Sequence, residues 1–288
     1  MNKLYDNHIY TIGDIQHYIP YNAKNTIITC NDVINIMKIC DISYSPINIK
    51  LYIEALTHTS YIKNTFCEYE KYLTEYKKKN NDVIELMDRS YERLEFVGDS
   101  VLKSIISTYL YKRYPDEDEG FMTDLKIKLE NKTTFANFSN ILGLSSYIIV
   151  SYEMEMNNGR NNSKILEDVF ESFIGALFYD AGYYICEAFV IWLLENRIDF
   201  SELIINDTNY KAQLLRLYHK NKWTPPIYID INIDDNTTNS NSYMNRLYKV
   251  GVLNNNKEII GIGISYNKKQ ASQIAAEEAI KTLIKNKK

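Results

Sequence analysis

The apolar residues of this chain keep a helical period from Pro46 to about Arg197, then switch to strand alternation, and that switch constrains the fold most. Leu94, Val97, Val101, Leu102, Ile105 and Leu110 recur on one helical face, as do Ile49, Ile53, Leu56 and Thr57, and Val169, Phe173, Ala176 and Leu177. Gly143 has the position of a helix stop, and Pro115 stands just beyond another. No strand alternation interrupts this stretch, so it should be an all-α domain. After Phe200 a short helix, Tyr210 to Lys220, precedes three strands: Ile227 to Ile233, Tyr248 to Val252 and Ile259 to Ser265. A polar loop from Asp234 to Asn241 and an Asn254-Asn255-Asn256 turn separate them, and a helix from Lys268 to about Lys285 ends the chain. The order α-β-β-β-α makes a small α+β module with its helices on one sheet face.

These boundaries divide the chain into residues 1–45, an extension with no assigned function; 46–200, the helical domain; 201–207, a linker; and 208–288, the α+β module. Within the extension, Ile27 to Cys40 should form a short helix capped near Asn31-Asp32. Within the helical domain, residues from about 61 to 90 look inserted. They carry Glu68-Tyr69-Glu70-Lys71 and Lys77-Lys78-Lys79-Asn80-Asn81, a charge pattern expected of a solvated element.

Charge is divided the same way. The 288-residue chain has net charge −4, which argues against a polyanionic partner. From Asp207 to Lys288, however, 13 Lys and Arg stand against 7 Asp and Glu, a net of +6, which leaves −10 on the rest. A basic tail behind an acidic front suggests two tasks. Four scattered cysteines without a CxxC pair suit a reduced, intracellular, cytoplasmic protein, where they serve as small buried hydrophobes. The N-terminus, MNKLYDNHIY, is no signal peptide, and the clearest apolar run, Ala188 to Leu194, is too short for a membrane span. Abundant Asn, Ile, Lys and Tyr match the coding bias of an AT-rich genome, such as that of a large DNA virus or a microbe.

The chemistry centres on Glu92-Arg93-Leu94-Glu95-Phe96-Val97-Gly98-Asp99-Ser100-Val101-Leu102. Spacings of three and seven put Glu92, Glu95 and Asp99 on one helical face, while apolar residues bury the other. Three like charges so placed repel one another unless a cation sits among them. About 70 residues later, Asp168 and Glu171 stand at i and i+3, followed by Gly175-Ala176, which permits close helix packing. If the two helices cross, four carboxylates converge, and an oxygen-only donor set suits Mg²⁺ or Mn²⁺. Two such ions can activate water and stabilise the leaving oxygen of a phosphodiester. Spacing alone leaves solvated surface acids open as a reading of these residues.

The motifs resemble those of the ribonuclease III family. ERLEFVGDSVL is similar to its signature helix nearly letter for letter. Ala55-Leu56-Thr57-His58-Thr59-Ser60-Tyr61 resembles its early helix-end motif, and Glu119-Gly120-Phe121-Met122-Thr123-Asp124-Leu125-Lys126 its acidic-glycine turn. Asn158-Gly159-Arg160-Asn161 through Gly175-Ala176 resembles its second catalytic segment, so that the likeness covers roughly residues 46–200. It implies a Mg²⁺-dependent endonuclease of double-stranded RNA, with Mn²⁺ as a substitute, leaving 5′-phosphate and 3′-hydroxyl ends with a short 3′ overhang. Glu95, Asp99, Asp168 and Glu171 would hold the metals, with Asp99 and Glu171 the most sensitive to change, and Glu92 and Glu119 in support. Phe96 would insert into the partner of a homodimer, and His58 belongs to a motif that is structural in the family.

The C-terminal module resembles a double-stranded-RNA-binding domain. Gly261-x-Gly263-x-Ser265, Asn267-Lys268-Lys269-Gln270-Ala271 and Ala275-Ala276 match its most diagnostic stretch. Lys268 and Lys269 open a helix, whose dipole and free N–H groups add to their pull on phosphate. Lys211, Gln213 and Arg216 on the first helix, and Asn245 and Arg246 between the first two strands, are the other candidate RNA contacts. Such domains read A-form shape with little sequence preference. The chain departs from the family in four places: the residues 61–90 and 1–45, the missing Gly-x-x-His loop (Asn241-Ser242-Tyr243-Met244-Asn245-Arg246 here), and Leu215-Arg216 in place of Gln-Glu.

Two other classes compete. An all-α nucleoside-triphosphate pyrophosphohydrolase also pairs ExxE with a later acidic pair, but it lacks RLEFVGDS and needs no basic module. A catalytically inert RNA-binding protein on the same fold would lack one or more of the carboxylates, and here all are present.

Overall fold

The computed structural model describes residues 9–12, 14–63, 67–80, 83–205, 209–232 and 247–285. The chain divides into two compact units, Met1–Asp116 with Lys126–Ile198, and Glu117–Leu125 with Asp199–Lys288. In chain order the elements are β1 (Ile9–Ile12), β2 (Ile15–Tyr18), α1 (Cys30–Ile39), α2 (Ile49–Ala55), α3 (Cys67–Lys79), α4 (Glu92–Arg113), α5 (Glu119–Leu129) and α6 (Lys132–Ile141). They continue with α7 (Tyr152–Met156), α8 (Ser163–Ala181), α9 (Tyr183–Arg197), α10 (Phe200–Ile205), α11 (Tyr210–Lys220), β3 (Ile227–Ile231), β4 (Tyr248–Leu253), β5 (Ile259–Ser265) and α12 (Lys268–Lys285).

In the first unit α8 is the central helix, packed against α2, α4, α6 and α9. Its sequence, ILEDVFESFIGAL, is buried on nearly every face. Phe170 and Phe173 are fully buried against Phe135, Phe138, Tyr52 and Phe189. Truncating either to Ala would cost about 3–5 kcal/mol. Two glycines set the approach of α4 to α8. A Cβ on Gly98 would lie 1.7 Å from the Glu171 carbonyl oxygen, and one on Gly175 would lie 2.2 Å from that of Leu94. The backbones therefore touch where the carboxylates stand, as the Gly175-Ala176 pair suggested.

Helix α1 begins one residue earlier than Asn31. Its cap is Thr29, whose hydroxyl accepts from Asp32 N while the Asp32 carboxylate accepts from Thr29 N, a reciprocal capping box. The solvated reading of residues 61–90 also needs correction. Tyr61, Tyr76 and Leu86 are buried in a second core with Tyr10, Ile19 and Tyr21 of the extension and Ile149. Tyrosine rings supply apolar area to this core and let the charged residues between them stay outside. The β1–β2 hairpin, which pairs Ile9 with Tyr18 and Ile12 with Ile15, had no signal in the sequence. Arg160 donates to Glu155, to the Ile148 carbonyl and to Asn25 Oδ1, tying the extension to the helical core. Cys40 and Cys186 are buried as expected, whereas Cys30 is exposed.

The second unit holds an antiparallel sheet of order β3-β4-β5, with α11 and α12 against it. Val250 and Val252 of β4 face a core of Leu214, Tyr218, Ala271, Ala275, Ala276 and Ala279. The alanines admit α12 so close that a Cβ on Gly263 would lie 2.0 Å from the Ala271 carbonyl oxygen. Tyr218 and Tyr228 bury their hydroxyls with no hydrogen-bond partner. The loop expected between the first two strands falls in residues 233–246, outside the described residues. No helix among the described residues is long and apolar enough to cross a membrane.

Candidate active site

The crossing of α4 and α8 brings together Glu95, Asp168 and Glu171, with one carboxylate oxygen from each lying within 4.8 Å of the others. Asp168 and Glu171 are 7% and 8% exposed, and Glu95 is half-buried. Burial, reinforced by the charges of Asp99, Glu167 and Glu95, pushes the Glu171 carboxyl up to about 8. Burial and the neighbouring Asp168 charge push Glu95 up to about 7. Such groups hold protons near neutral pH because burial and like charges disfavour the carboxylate form by more than the nearby Lys164 offsets. The donor set is oxygen only, which hard cations take. With about 2.0–2.1 Å per Mg–O bond, two ligands of one ion stand at most about 4.2 Å apart. The three side chains therefore fit Mg²⁺ or Mn²⁺ with little movement.

The other expected acids are not members of this trio. Asp99 forms an ion pair with Lys103 Nζ at 2.7 Å, although its charge still bears on Glu171. Glu92 is exposed and accepts from Ser90 Oγ at 3.0 Å. Glu119 is exposed and accepts from Thr123 Oγ1 at 2.8 Å. Phe96 is 76% exposed, as is Tyr111 further along α4 at 71%. His58 has its protonation lowered by burial, and its Nδ1 accepts from Ser60 N.

In the second unit Asn267 caps α12, accepting from Lys269 N at 2.8 Å. The Lys269 side chain is exposed, and Lys268 Nζ pairs with Asp230 at 2.7 Å, both exposed. Lys211 Nζ lies 4.5 Å from the centre of the Tyr228 ring. Gln213 is half-buried, and Arg216 pairs with Asp124 of the same unit at 2.5 Å. Asn245 and Arg246 lie outside the described residues.

Comparison with known proteins finds two families along the chain. A ribonuclease III domain matches residues 92–182, and a double-stranded RNA binding motif matches residues 210–283. A ribonuclease 3 of Latilactobacillus sakei is 34% identical over 82% of this chain and 91% of its own length. The chain belongs to the ribonuclease III family. A probable ribonuclease 3 of Acanthamoeba polyphaga mimivirus is 32% identical over 96% of this chain and 49% of its own, so the chain spans about half the length of that relative. The nuclease domain of ribonuclease III from Campylobacter jejuni is 26% identical, with a TM-score of 0.47, and covers 60% of this chain and 99% of that one.

Two residues in contact with these carboxylates were not singled out in the sequence. Lys164 Nζ lies 2.6 Å from Asp168 Oδ1 and 3.3 Å from Glu167 Oε2, and the Asp168 contact raises its pKa. Its signal was present as an i, i+4 Lys–Asp pair on α8. Tyr91, 4% exposed, donates from its hydroxyl to Asp168 Oδ2 at 3.3 Å. Burial and the Asp168 charge push its phenol up, so that it remains a donor. Nothing in the sequence marked it.

Proposed function

We propose that this ribonuclease III-family endoribonuclease hydrolyses both strands of double-stranded RNA, leaving 5′-phosphate and 3′-hydroxyl ends with short 3′ overhangs. The observation that carries the reading is the convergence of Glu95, Asp168 and Glu171 within 4.8 Å, two of them buried. These residues, with Asp99 once it leaves Lys103, would hold Mg²⁺, or Mn²⁺ in its place. Bound in pairs, such ions supply activation of water and charge stabilisation at the leaving 3′ oxygen. Asp99 and Glu171 are the acids whose loss matters most. Glu92 and Glu119, both exposed, keep the supporting role that the family resemblance gives them.

Substrate is held by the basic module. Lys268 and Lys269 contact phosphate at the start of α12, and Lys211, Gln213 and Arg216, with Asn245 and Arg246, extend the contact. Lys268 exchanges Asp230, and Arg216 exchanges Asp124, for the polyanion. Two copies pair through the exposed Phe96, so that each copy cuts one strand. The test is incubation with long double-stranded RNA, with and without Mg²⁺, followed by sizing and end analysis. Discrete products with both strands cut are expected only with the metal. Equal activity in excess EDTA removes the metal mechanism, and nicking of one strand by a stable monomer removes the dimer.

A further inference from the structure

We infer that Tyr91 is a positioning residue, whose hydroxyl holds Asp168 in the orientation that receives the divalent cation. The inference rests on the metal-dependent reading proposed above and adds to it a residue outside the carboxylate set.

Tyr91 occupies the N-cap position of α4, where Ser, Thr, Asp or Asn would normally satisfy a free backbone N–H. It makes no side-chain cap hydrogen bond. The start of the helix therefore does not account for a tyrosine here. Its hydroxyl instead reaches across to the neighbouring helix and donates to Asp168 Oδ2 at 3.3 Å. The other oxygen of Asp168 faces Lys164. Asp168 thus has an ion pair at Oδ1, which makes no hydrogen bond, while the Tyr91 hydroxyl bonds Oδ2.

Tyr91 is itself held in place. Its backbone N–H donates to the Thr57 carbonyl at 2.9 Å, and its ring stands edge-on to His58, with ring centres 5.7 Å apart. His58 N in turn donates to the Ile149 carbonyl at 2.9 Å, and its Nδ1 accepts from Ser60 N. The segment Thr57-His58-Thr59-Ser60 therefore reaches the carboxylates through one hydroxyl. Hydrogen-bond partners of metal ligands typically change metal affinity by about 10–100-fold when removed. At 3.3 Å the bond is long, which places the expected effect at the lower end.

The experiment is a calorimetric titration of Mn²⁺ into RNA-free wild-type protein, Y91F and E171Q. It is paired with thermal melts and with cleavage measured across Mg²⁺ concentrations. Y91F keeps the ring against His58 and removes only the hydroxyl. Its Mn²⁺ affinity should fall about tenfold. The Mg²⁺ needed for half-maximal cleavage should rise by the same factor, with the rate restored at saturating Mg²⁺. Replacing Tyr91 with 4-aminophenylalanine, which returns a donor to the same ring, should restore the affinity even if Y91F melts early. Wild-type affinity in Y91F overturns the inference, as does a rate that stays low at every Mg²⁺ concentration. So does a 4-amino variant that binds no better than Y91F. Wild-type protein that binds no Mn²⁺ overturns the metal reading itself, and this inference with it.

Discussion

The two units bury polar groups in opposite ways. The nuclease unit draws Asp168 and Glu171 into its interior beside Glu95, where the acids crowd one another. The RNA-binding unit buries two phenols, Tyr218 and Tyr228, that meet no partner, and keeps its lysines in solvent at the start of α12. Burial gathers acidic groups at a point in the first unit. In the second unit the lysines stay in solvent, where Lys268 pairs with Asp230. The units therefore differ in whether their buried polar groups converge.

The largest expected effect breaks the first half of this comparison. Glu171→Gln should reduce cleavage to background, because it removes a buried ligand from the trio. Affinity for duplex RNA, measured by filter binding or gel shift, should stay at the wild-type value. A joint loss of binding and cleavage would show that the two units do not divide the work.

Replacing Lys268 and Lys269 together with Ala tests the other half. Affinity should fall similarly for unrelated duplex sequences, and the dependence of log K on log salt should flatten by at most about 2. The reduction should be smaller if Lys268 stays with Asp230 in the complex. Cleavage at low salt and high protein concentration should survive. An unchanged salt slope would place the RNA anchor elsewhere.

A third prediction concerns stability in the absence of metal. The folded-state values of Glu95 and Glu171, about 7 and about 8, are raised above an unfolded value of about 4.3. The folded chain therefore holds protons that the unfolded chain has released. Their stabilising contribution is full below the unfolded value and is lost as pH rises through 7 to 8. In EDTA the Tm should fall by several degrees between about pH 5 and pH 8, and excess Mg²⁺ should flatten that fall. A Tm that is flat or rising in EDTA across this window would contradict the crowding of the acids.

The smallest effect is expected in the RNA-binding unit. Tyr218→Phe removes a buried hydroxyl that has no partner. Thermal unfolding should show unchanged stability, or a gain of about 1 kcal/mol. A clear loss would mean that the hydroxyl is hydrogen-bonded in solution, and the contrast with the nuclease unit would narrow.

Much of this was legible in the chain itself. Helical period and strand alternation located α4, α8, α11, β4, β5 and α12, because each carries apolar residues at a regular local spacing that needs no knowledge of its partner. The acids of α4 and α8 stood out by spacing, for the same local reason. The hairpin of residues 9–18 did not, since four-residue strands carry too little pattern. Nor did the tyrosine core that joins residues 1–45 to residues 61–90, because its rings come from segments far apart in the chain.

The sequence by itself determined which residue types share a side of each helix, and hence that Glu92, Glu95 and Asp99 stand on one apolar helix and Asp168 and Glu171 on another. Only the tertiary structure decided which of them meet. Gly98 and Gly175 set the crossing, and at that crossing Glu95 joins Asp168 and Glu171, while Asp99, one turn on, turns to Lys103. The same packing carries the Tyr91 hydroxyl to Asp168, 77 positions away in the chain. The physical reason is one of range. Helical spacing is a local property of consecutive residues, whereas the distance between two helices depends on how closely their backbones can approach.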